Sequence, residues 1–220
     1  MKIIQIEVNG FDKNFSYLII GKNSESILID PTGDLTNIEN EIKKNKTKVI
    51  GVLLTHSHPD HCELVEHFSK NTKIFFPSEG QLGEIESINL AGIDINLIHL
   101  PGHTKDSVGY LIENNLFSGD TIFCKGVGTT AYGGNLEELK NSLNFLFTLE
   151  KNIILWPGHN YGGASTTLIE ALNNSHIHPS EKTLEKIHKM VNEYESKLSE
   201  NSNNNTKKRT KNFHCHKMTP

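Results

Sequence analysis

Residues 53–61 read Leu53-Leu54-Thr55-His56-Ser57-His58-Pro59-Asp60-His61, so three imidazoles and one carboxylate follow an apolar run within six positions. The preceding residues, 49–54, are rich in β-branched side chains and unbroken in their apolar character, which is typical of a strand buried on both faces. Pro59 ends that strand, and residues 61–70 carry apolar side chains at helical spacing. The polar side chains therefore belong to a strand-to-helix loop, where α/β proteins place their chemistry.

The composition of this loop predicts half of a metal site. Imidazole nitrogen and carboxylate oxygen are preferred ligands of zinc and similar metals. The spacing His-x-His-x-Asp-His suits a turn that wraps a cation. The alternative is a polar loop with surface histidines, but chance rarely produces four such residues at this spacing.

Two later strands, predicted at 93–100 and 152–156, each lead into the tripeptide Pro-Gly-His. Proline stops strand pairing and glycine permits a tight backbone, so each tripeptide delivers its histidine, His103 or His159, to a strand tip. We expect both histidines at the sheet edge where the loop of residues 53–61 emerges.

One acidic residue, Asp120, follows an apolar strand at Ser118-Gly119. An aspartate after glycine is usually a turn residue or a helix cap. Its position among the other strand-end residues favours a role in the same site.

Apolar patterning predicts the remaining elements. The predicted strands are 2–8, 15–20, 26–30, 49–54, 73–77, 93–100, 108–112, 115–117 and 152–156, and the predicted helices are 35–46, 61–70, 136–149 and 165–172. The eighties are predicted to form a loop with scattered apolar residues. The order of elements predicts an α/β fold.

The end of the chain differs in composition from the rest. We predict a main domain at 1–175, a charged C-terminal helix packed on it at 176–198, and a disordered polar tail at 199–220. The tail contains His214-Cys215-His216, and an incidental arrangement explains this tripeptide better than a functional metal site.

Charge and cysteine content limit the partners and the compartment. The chain of 220 residues has a net charge of -4 without large blocks of one sign, which favours a small-molecule substrate over nucleic acid or a membrane. Its three cysteines, Cys62, Cys124 and Cys215, are scattered, and residues 1–5 lead directly into a predicted strand. These features predict a cytoplasmic protein.

Taken together and in this order, the motif of residues 56–61, Pro-Gly-His103-Thr, Ser-Gly-Asp120-Thr and Pro-Gly-His159 resemble those of the metallo-β-lactamase superfamily of hydrolases. The glyoxalase II and persulfide dioxygenase branches are the most similar, and the resemblance covers about residues 1–175. It implies a four-layer αββα sandwich with metal at the rim of the two sheets. It also implies one cation held by His56, His58 and His103, a second held by Asp60, His61 and His159, and Asp120 as a bridge.

The resemblance implies a chemistry that the donor set also supports. Seven donors are too many for one tetrahedral ion but suit two zinc ions that share a carboxylate and a hydroxide. Such ions lower the pKa of bound water to about 7, which supplies a nucleophile against a small ester, thioester or lactone. Asp60 and Asp120 are the expected catalytic carboxylates, with Asp60 orienting the hydroxide. The predicted activity is that of a hydroxyacylglutathione hydrolase-like enzyme.

Two alternatives use the same residues. A single iron held by His56, His103 and Asp120 is the two-histidine, one-carboxylate set of non-haem iron, which resembles the persulfide dioxygenases. A non-catalytic metal-binding module on the same scaffold is the other alternative, and the presence of all seven donors disfavours it.

Two tyrosines are candidate substrate-binding residues. Tyr161, two residues after His159, matches an aromatic residue that glyoxalase II-like proteins present to substrate, and Tyr132 lies in a loop predicted to face the site. Thr129 stands where the family usually has a basic residue for a substrate carboxylate, so the resemblance does not extend to this contact with glutathione.

Overall fold

The computed structural model describes residues 1–150 and 152–175. Its first sheet has five strands: β1 (Lys2–Glu7), β2 (Phe15–Ile20), β3 (Glu25–Ile29), β4 (Lys48–Leu53) and β5 (Lys73–Phe75). They lie in the order β1-β2-β3-β4-β5. The first three strands pair antiparallel, whereas β4 is parallel to both of its neighbours. A parallel strand needs a crossover, and helix α1 (Leu35–Lys44) supplies it between β3 and β4.

The second sheet has six strands: β6 (Ile85–Leu90), β7 (Ile93–His99), β8 (Val108–Ile112), β9 (Asn115–Gly119), β10 (Ile154–Pro157) and β11 (Thr166–Thr167). They lie in the order β11-β10-β9-β8-β7-β6. All neighbours pair antiparallel except β9 and β10, which are parallel. Helix α4 (Leu136–Leu146) lies between those two strands in the chain, as a parallel connection requires.

Three apolar clusters define four layers. The cluster between the sheets includes Tyr17 and Ile29 from the first sheet and Ile95 and Tyr110 from the second. Alternate residues of the same strands face outwards, where the first sheet packs on α1 and α3 (Val65–Ser69) and the second on α4 and α5 (Leu168–Asn174). The predicted αββα sandwich is confirmed, and burial on both faces explains why the sequence of β4 is almost continuously apolar.

Side-chain caps determine where three helices begin. The Asp34 carboxylate accepts a hydrogen bond from the Thr36 amide at the start of α1, and the Asn135 amide oxygen accepts two at the start of α4. Thr167 and Glu170 form a reciprocal capping box on α5. Each cap satisfies amide groups that the first helical turn leaves unpaired.

Two predictions of secondary structure were wrong. The eighties are not a loop, because β6 pairs with β7 across a tight turn at Ala91 and Gly92, both with positive φ. The helix predicted at 61–70 is two short helices, α2 (Pro59–Cys62) and α3. The Leu64 amide between them donates to the Pro31 carbonyl instead of continuing the helix.

The predictions for the end of the chain lie outside the described residues. These are the helix at 176–198, the tail at 199–220 and the tripeptide His214-Cys215-His216. Within the described ranges, every helix is too short or too polar to cross a bilayer.

Candidate metal centre

The candidate site lies where the two sheets meet at one rim. The Thr55 carbonyl, just after β4, accepts a 2.8 Å hydrogen bond from the Val108 amide of the second sheet. The Phe15 amide of the first sheet donates over 2.8 Å to the Gly158 carbonyl. These main-chain bonds hold together the loops that carry the seven predicted donors.

One donor cluster consists of His56, His58 and His103. The His58 Nδ1 atom lies 3.1 Å from His56 Nε2 and 3.0 Å from His103 Nε2. All three side chains are buried, and their ring nitrogens are close enough to share one cation. We call this group the first triad.

A second donor cluster consists of Asp60, His61 and His159. The His61 and His159 Nε2 atoms are 3.2 Å apart, and Asp60 Oδ2 lies 3.9 Å from the former and 3.6 Å from the latter. Asp60 has the most exposed side chain of the seven donors, at 27%. We call this group the second triad.

Asp120 lies between the two triads. Its Oδ2 atom is 3.6 Å from His103 Nε2 of the first triad and 3.2 Å from His159 Nε2 of the second. Its Oδ1 atom is 3.3 Å from His61 Nε2, yet this buried oxygen accepts no hydrogen bond from the described residues. A buried anionic oxygen without a donor is costly unless a cation neutralises it, so the residues fit a bound metal.

The outward-facing ring nitrogen of every clustered histidine has an oxygen partner, which fixes the nitrogen that faces the centre. His58 Nε2 lies 3.2 Å from the Tyr132 carbonyl, and His103 Nδ1 lies 2.7 Å from the Thr129 carbonyl. Because a carbonyl only accepts, each of these nitrogens carries hydrogen and the other nitrogen keeps its lone pair for a cation. The loop at 129–132 therefore orients two rings of the first triad.

Asp30 orients two further rings, those of His61 and His56. The sequence did not lead us to predict this role. The Asp30 Oδ2 atom lies 3.0 Å from His61 Nδ1 and 2.6 Å from Thr55 Oγ1, which in turn lies 3.0 Å from His56 Nδ1. Asp30 directly follows β3, which lies beside β4, and its φ is +48°. An acidic residue at the tip of a strand next to the metal loop was the signal that could have identified it.

The charges within the centre support one another. Although burial lowers the pKa of His61, the Asp120 and Asp30 carboxylates raise it well above its usual value. Although burial raises the pKa of Asp120, His61 and His159 hold it well below its usual value. Burial lowers the pKa of His56. Asp120 is therefore ionised and His56 neutral, the forms that bind metal, whereas His61 carries a proton that a bound cation would replace.

The two tyrosines take different positions. The Tyr161 ring stacks on His159, with centroids 5.2 Å apart and planes 5° apart, and its hydroxyl donates to Asp12. Tyr132 contributes its carbonyl to His58, while its side chain is 63% exposed. The Tyr161 ring therefore lies against the second triad, whereas Tyr132 contacts the first triad through its carbonyl.

Comparison with known proteins agrees with this geometry. Residues 9–74 match the metallo-beta-lactamase superfamily model. The hydroxyacylglutathione hydrolase of Buchnera aphidicola is 32% identical over 72% of this chain and 67% of its own length. The hydroxyacylglutathione hydrolase of Shewanella loihica is 27% identical over 76% of this chain and 69% of its own length.

Among solved structures, ETHE1 from Myxococcus xanthus superposes with a TM-score of 0.69 at 26% identity, covering 87% of this chain and 91% of its own. The triads, the carboxylate between them and these relatives lead to one conclusion. The chain belongs to the metallo-β-lactamase superfamily and is a glyoxalase II-like metallohydrolase.

Proposed function

We propose that the protein hydrolyses hydroxyacyl thioesters of glutathione at a centre that holds two zinc ions. The names of the relatives in Buchnera and Shewanella support the substrate class. The position of Asp120 between two triads is the observation that carries the two-ion arrangement.

Donor count supports two ions over one. A tetrahedral zinc ion takes four ligands, whereas seven side chains converge here. The first triad would hold one ion, the second triad the other, and Asp120 would be a ligand of both. When bound, the two ions supply a water of lowered pKa and polarise the acyl carbonyl.

The chain itself contributes orientation and charge. Asp60 is the donor nearest to solvent, so its carboxylate can accept a hydrogen bond from the attacking water and orient it. The leaving group is a thiolate, whose conjugate acid has a pKa near 8.5, so it departs near neutral pH with little help from an acid. No serine or cysteine nucleophile is needed.

Substrate contacts are proposed at the two tyrosines. Tyr161 presents a half-buried ring beside the second triad, and Tyr132 presents an exposed ring beside the first, so the two can flank a thioester placed over the centre. Thr129 offers a hydroxyl where a cation is usual in the family, which leaves a weaker contact to any substrate carboxylate. Glutathione is a cytosolic thiol, so the proposal includes a cytoplasmic location and a small-molecule partner.

A second candidate is a mononuclear iron dioxygenase acting on a persulfide. The similarity to ETHE1, of the persulfide dioxygenase branch, supports it. The contact of 3.6 Å between His103 Nε2 and Asp120 Oδ2, beside His56, offers two imidazoles and one carboxylate to a single iron.

Metal analysis combined with a substrate panel separates the candidates. Protein purified without added metal is analysed for zinc and iron, then assayed with a hydroxyacyl thioester of glutathione, glutathione persulfide, an acyl-homoserine lactone and a β-lactam. We expect about two zinc ions per chain and thioester hydrolysis. One iron per chain, with sulfite formed from the persulfide under oxygen, would overturn the hydrolase proposal.

A further inference from the structure

The loop between β1 and β2 lies against the second triad, although the triad residues are distant from this loop in sequence. The Asp12 carbonyl accepts a 2.8 Å hydrogen bond from His159 Nδ1. The Asn14 amide nitrogen donates to Asp60 twice, over 3.2 Å to Oδ2 and over 3.0 Å to the main-chain carbonyl. Two of the three donors in the second triad therefore have partners in this loop.

The backbone of this loop is held in a strained form. Asp12 and Lys13 have φ values of +57° and +61°, although neither is glycine. Non-glycine residues rarely adopt the left-handed region, because the side chain approaches the following carbonyl. Main-chain contacts then fix the position of Asn14. It forms an antiparallel β-bridge with His159, and the amide of the following residue, Phe15, donates to the Gly158 carbonyl. Strain beside a reactive centre is retained where the resulting placement is useful.

The orientation of the Asn14 side chain follows from its partners. Both oxygens that contact its nitrogen are acceptors, so the amide must turn its NH₂ group towards Asp60. Its own oxygen is then left buried, with no hydrogen-bond donor among the described residues. Asn14 is only 1% exposed, so bulk water does not compensate. Leaving this oxygen unpaired costs stability, which the two hydrogen bonds to Asp60 must offset.

We propose that Asn14 is a positioning residue that holds Asp60 in place for the cation of the second triad. Asp60 belongs to a helix of four residues and has the most exposed side chain of the donors, so little else restrains its carboxylate. The oxygen that receives the Asn14 hydrogen bond is the same Oδ2 that faces His159 and His61. A carboxylate oxygen can accept from a donor and bind a cation at once, because it has two lone pairs.

The inference rests on the two-ion part of the proposed function and is independent of the substrate. Partners behind a metal ligand typically contribute 10–100-fold to metal affinity. Asn14 contacts the second triad and not the first. Loss of Asn14 should therefore lower the affinity for one ion and leave the affinity for the other unchanged.

The test uses Asn14→Leu, which keeps the approximate shape of the side chain, removes the donor and also removes the unpaired oxygen. The control is Asn144→Leu, since Asn144 is also buried with an unpaired oxygen but lies in α4, away from both triads. The chelator-treated full-length chain is titrated with zinc against a chromophoric chelator, and thermal melting of the metal-free forms is recorded.

For Asn14→Leu we expect the second dissociation constant to rise about 10–100-fold with the first unchanged. In the metal-free form, losing the donor to the Asp60 carbonyl and removing the unpaired oxygen act in opposite directions, so the melting temperature should change little. Asn144→Leu should leave both constants unchanged. Equal weakening of both ions, or no weakening of either, would overturn the positioning role. A single binding step in the unmodified protein would overturn the two-ion proposal itself, whereas failure to hydrolyse the thioester would leave the zinc titration interpretable.

Discussion

The Asp30 carboxylate lies 3.0 Å from the Nδ1 atom of His61, 31 positions further along the chain. Asp30 is buried and also accepts hydrogen bonds from the amide and the hydroxyl of Thr55. A single carboxylate thus orients a donor of the second triad directly and His56 of the first triad through a hydroxyl. The two triads share this support although they share no imidazole.

Replacing Asp30 with asparagine should weaken the centre without removing any donor. The amide has one acceptor oxygen in place of two, so one of its three partners loses its hydrogen bond. We expect metal affinity to fall about 10–100-fold and the metal-free protein to lose about 1.5–3 kcal/mol of unfolding free energy. Zinc titration and urea denaturation measure the two effects. Asp34→Asn is the control, since asparagine caps a helix as well as aspartate does, and a matching loss there would contradict the assignment.

Asp120→Ala should abolish turnover together with metal binding. This residue contacts both triads, and its loss removes the only carboxylate between them in the described residues. We expect kcat/KM to fall by more than about 100-fold, because even partners behind a ligand contribute up to that amount. Elemental analysis should show depletion of metal, and His56→Ala should behave in the same way. Full activity in Asp120→Ala would refute the bridging role.

Gly158→Ala tests the close approach of the Pro-Gly-His159 turn to Asp120. A Cβ atom at position 158 would lie 2.3 Å from Asp120 Oδ1 and 2.8 Å from a carbon of the His61 ring. The carboxylate must then move, and displacement of about 1 Å at a reactive centre can cost 10²-fold in rate. We expect kcat to fall about 100-fold. Gly51→Ala is the control, since the nearest atom there is the flexible end of Leu90, and similar kinetics in both variants would contradict this explanation.

The metal-free protein should be most stable near pH 6.5. Below that value, the usual histidine pKa, stability falls as pH decreases, because burial lowers the pKa of His56 and the folded protein resists its protonation. Above it, stability falls as pH rises through the elevated pKa of His61, because the proton that pairs with Asp120 is lost. Urea midpoints from pH 5 to 9 give the profile. Stability that rises steadily across this range would contradict it, and zinc should remove the loss at high pH by replacing the proton.

Much of the candidate site could be predicted from short stretches of sequence. The histidines and the aspartate of residues 56–61 reveal their chemistry by spacing alone. The Pro-Gly-His tripeptides, with His103 and His159, predict strand tips because proline and glycine have strong local preferences. These features can be recognised in the sequence because each proline or glycine directly precedes the histidine that it positions.

The weaker predictions failed where pairing over distance decides the structure. Strand β6 is half-exposed at a sheet edge, so its sequence lacks the alternation of a buried strand, and its pairing with β7 is what makes it a strand. The helix predicted at 61–70 is interrupted because the Leu64 amide donates a hydrogen bond to the carbonyl of Pro31, which is distant in sequence. Neither partner can be identified from the local pattern.

By itself, the sequence determined the types of donor, the loops that carry them and the burial of the strand at 49–54 on both faces, since these depend on residue chemistry and local periodicity. Only the tertiary structure decided which nitrogen of His58, His61, His103 and His159 faces the centre, because the outward nitrogen bonds to Asp30, to the Asp12 carbonyl or to a carbonyl of the loop at 129–132. It also decided that Asn14 meets Asp60. Those contacts join segments between 26 and 147 positions apart, and only packing of the two sheets brings such segments together.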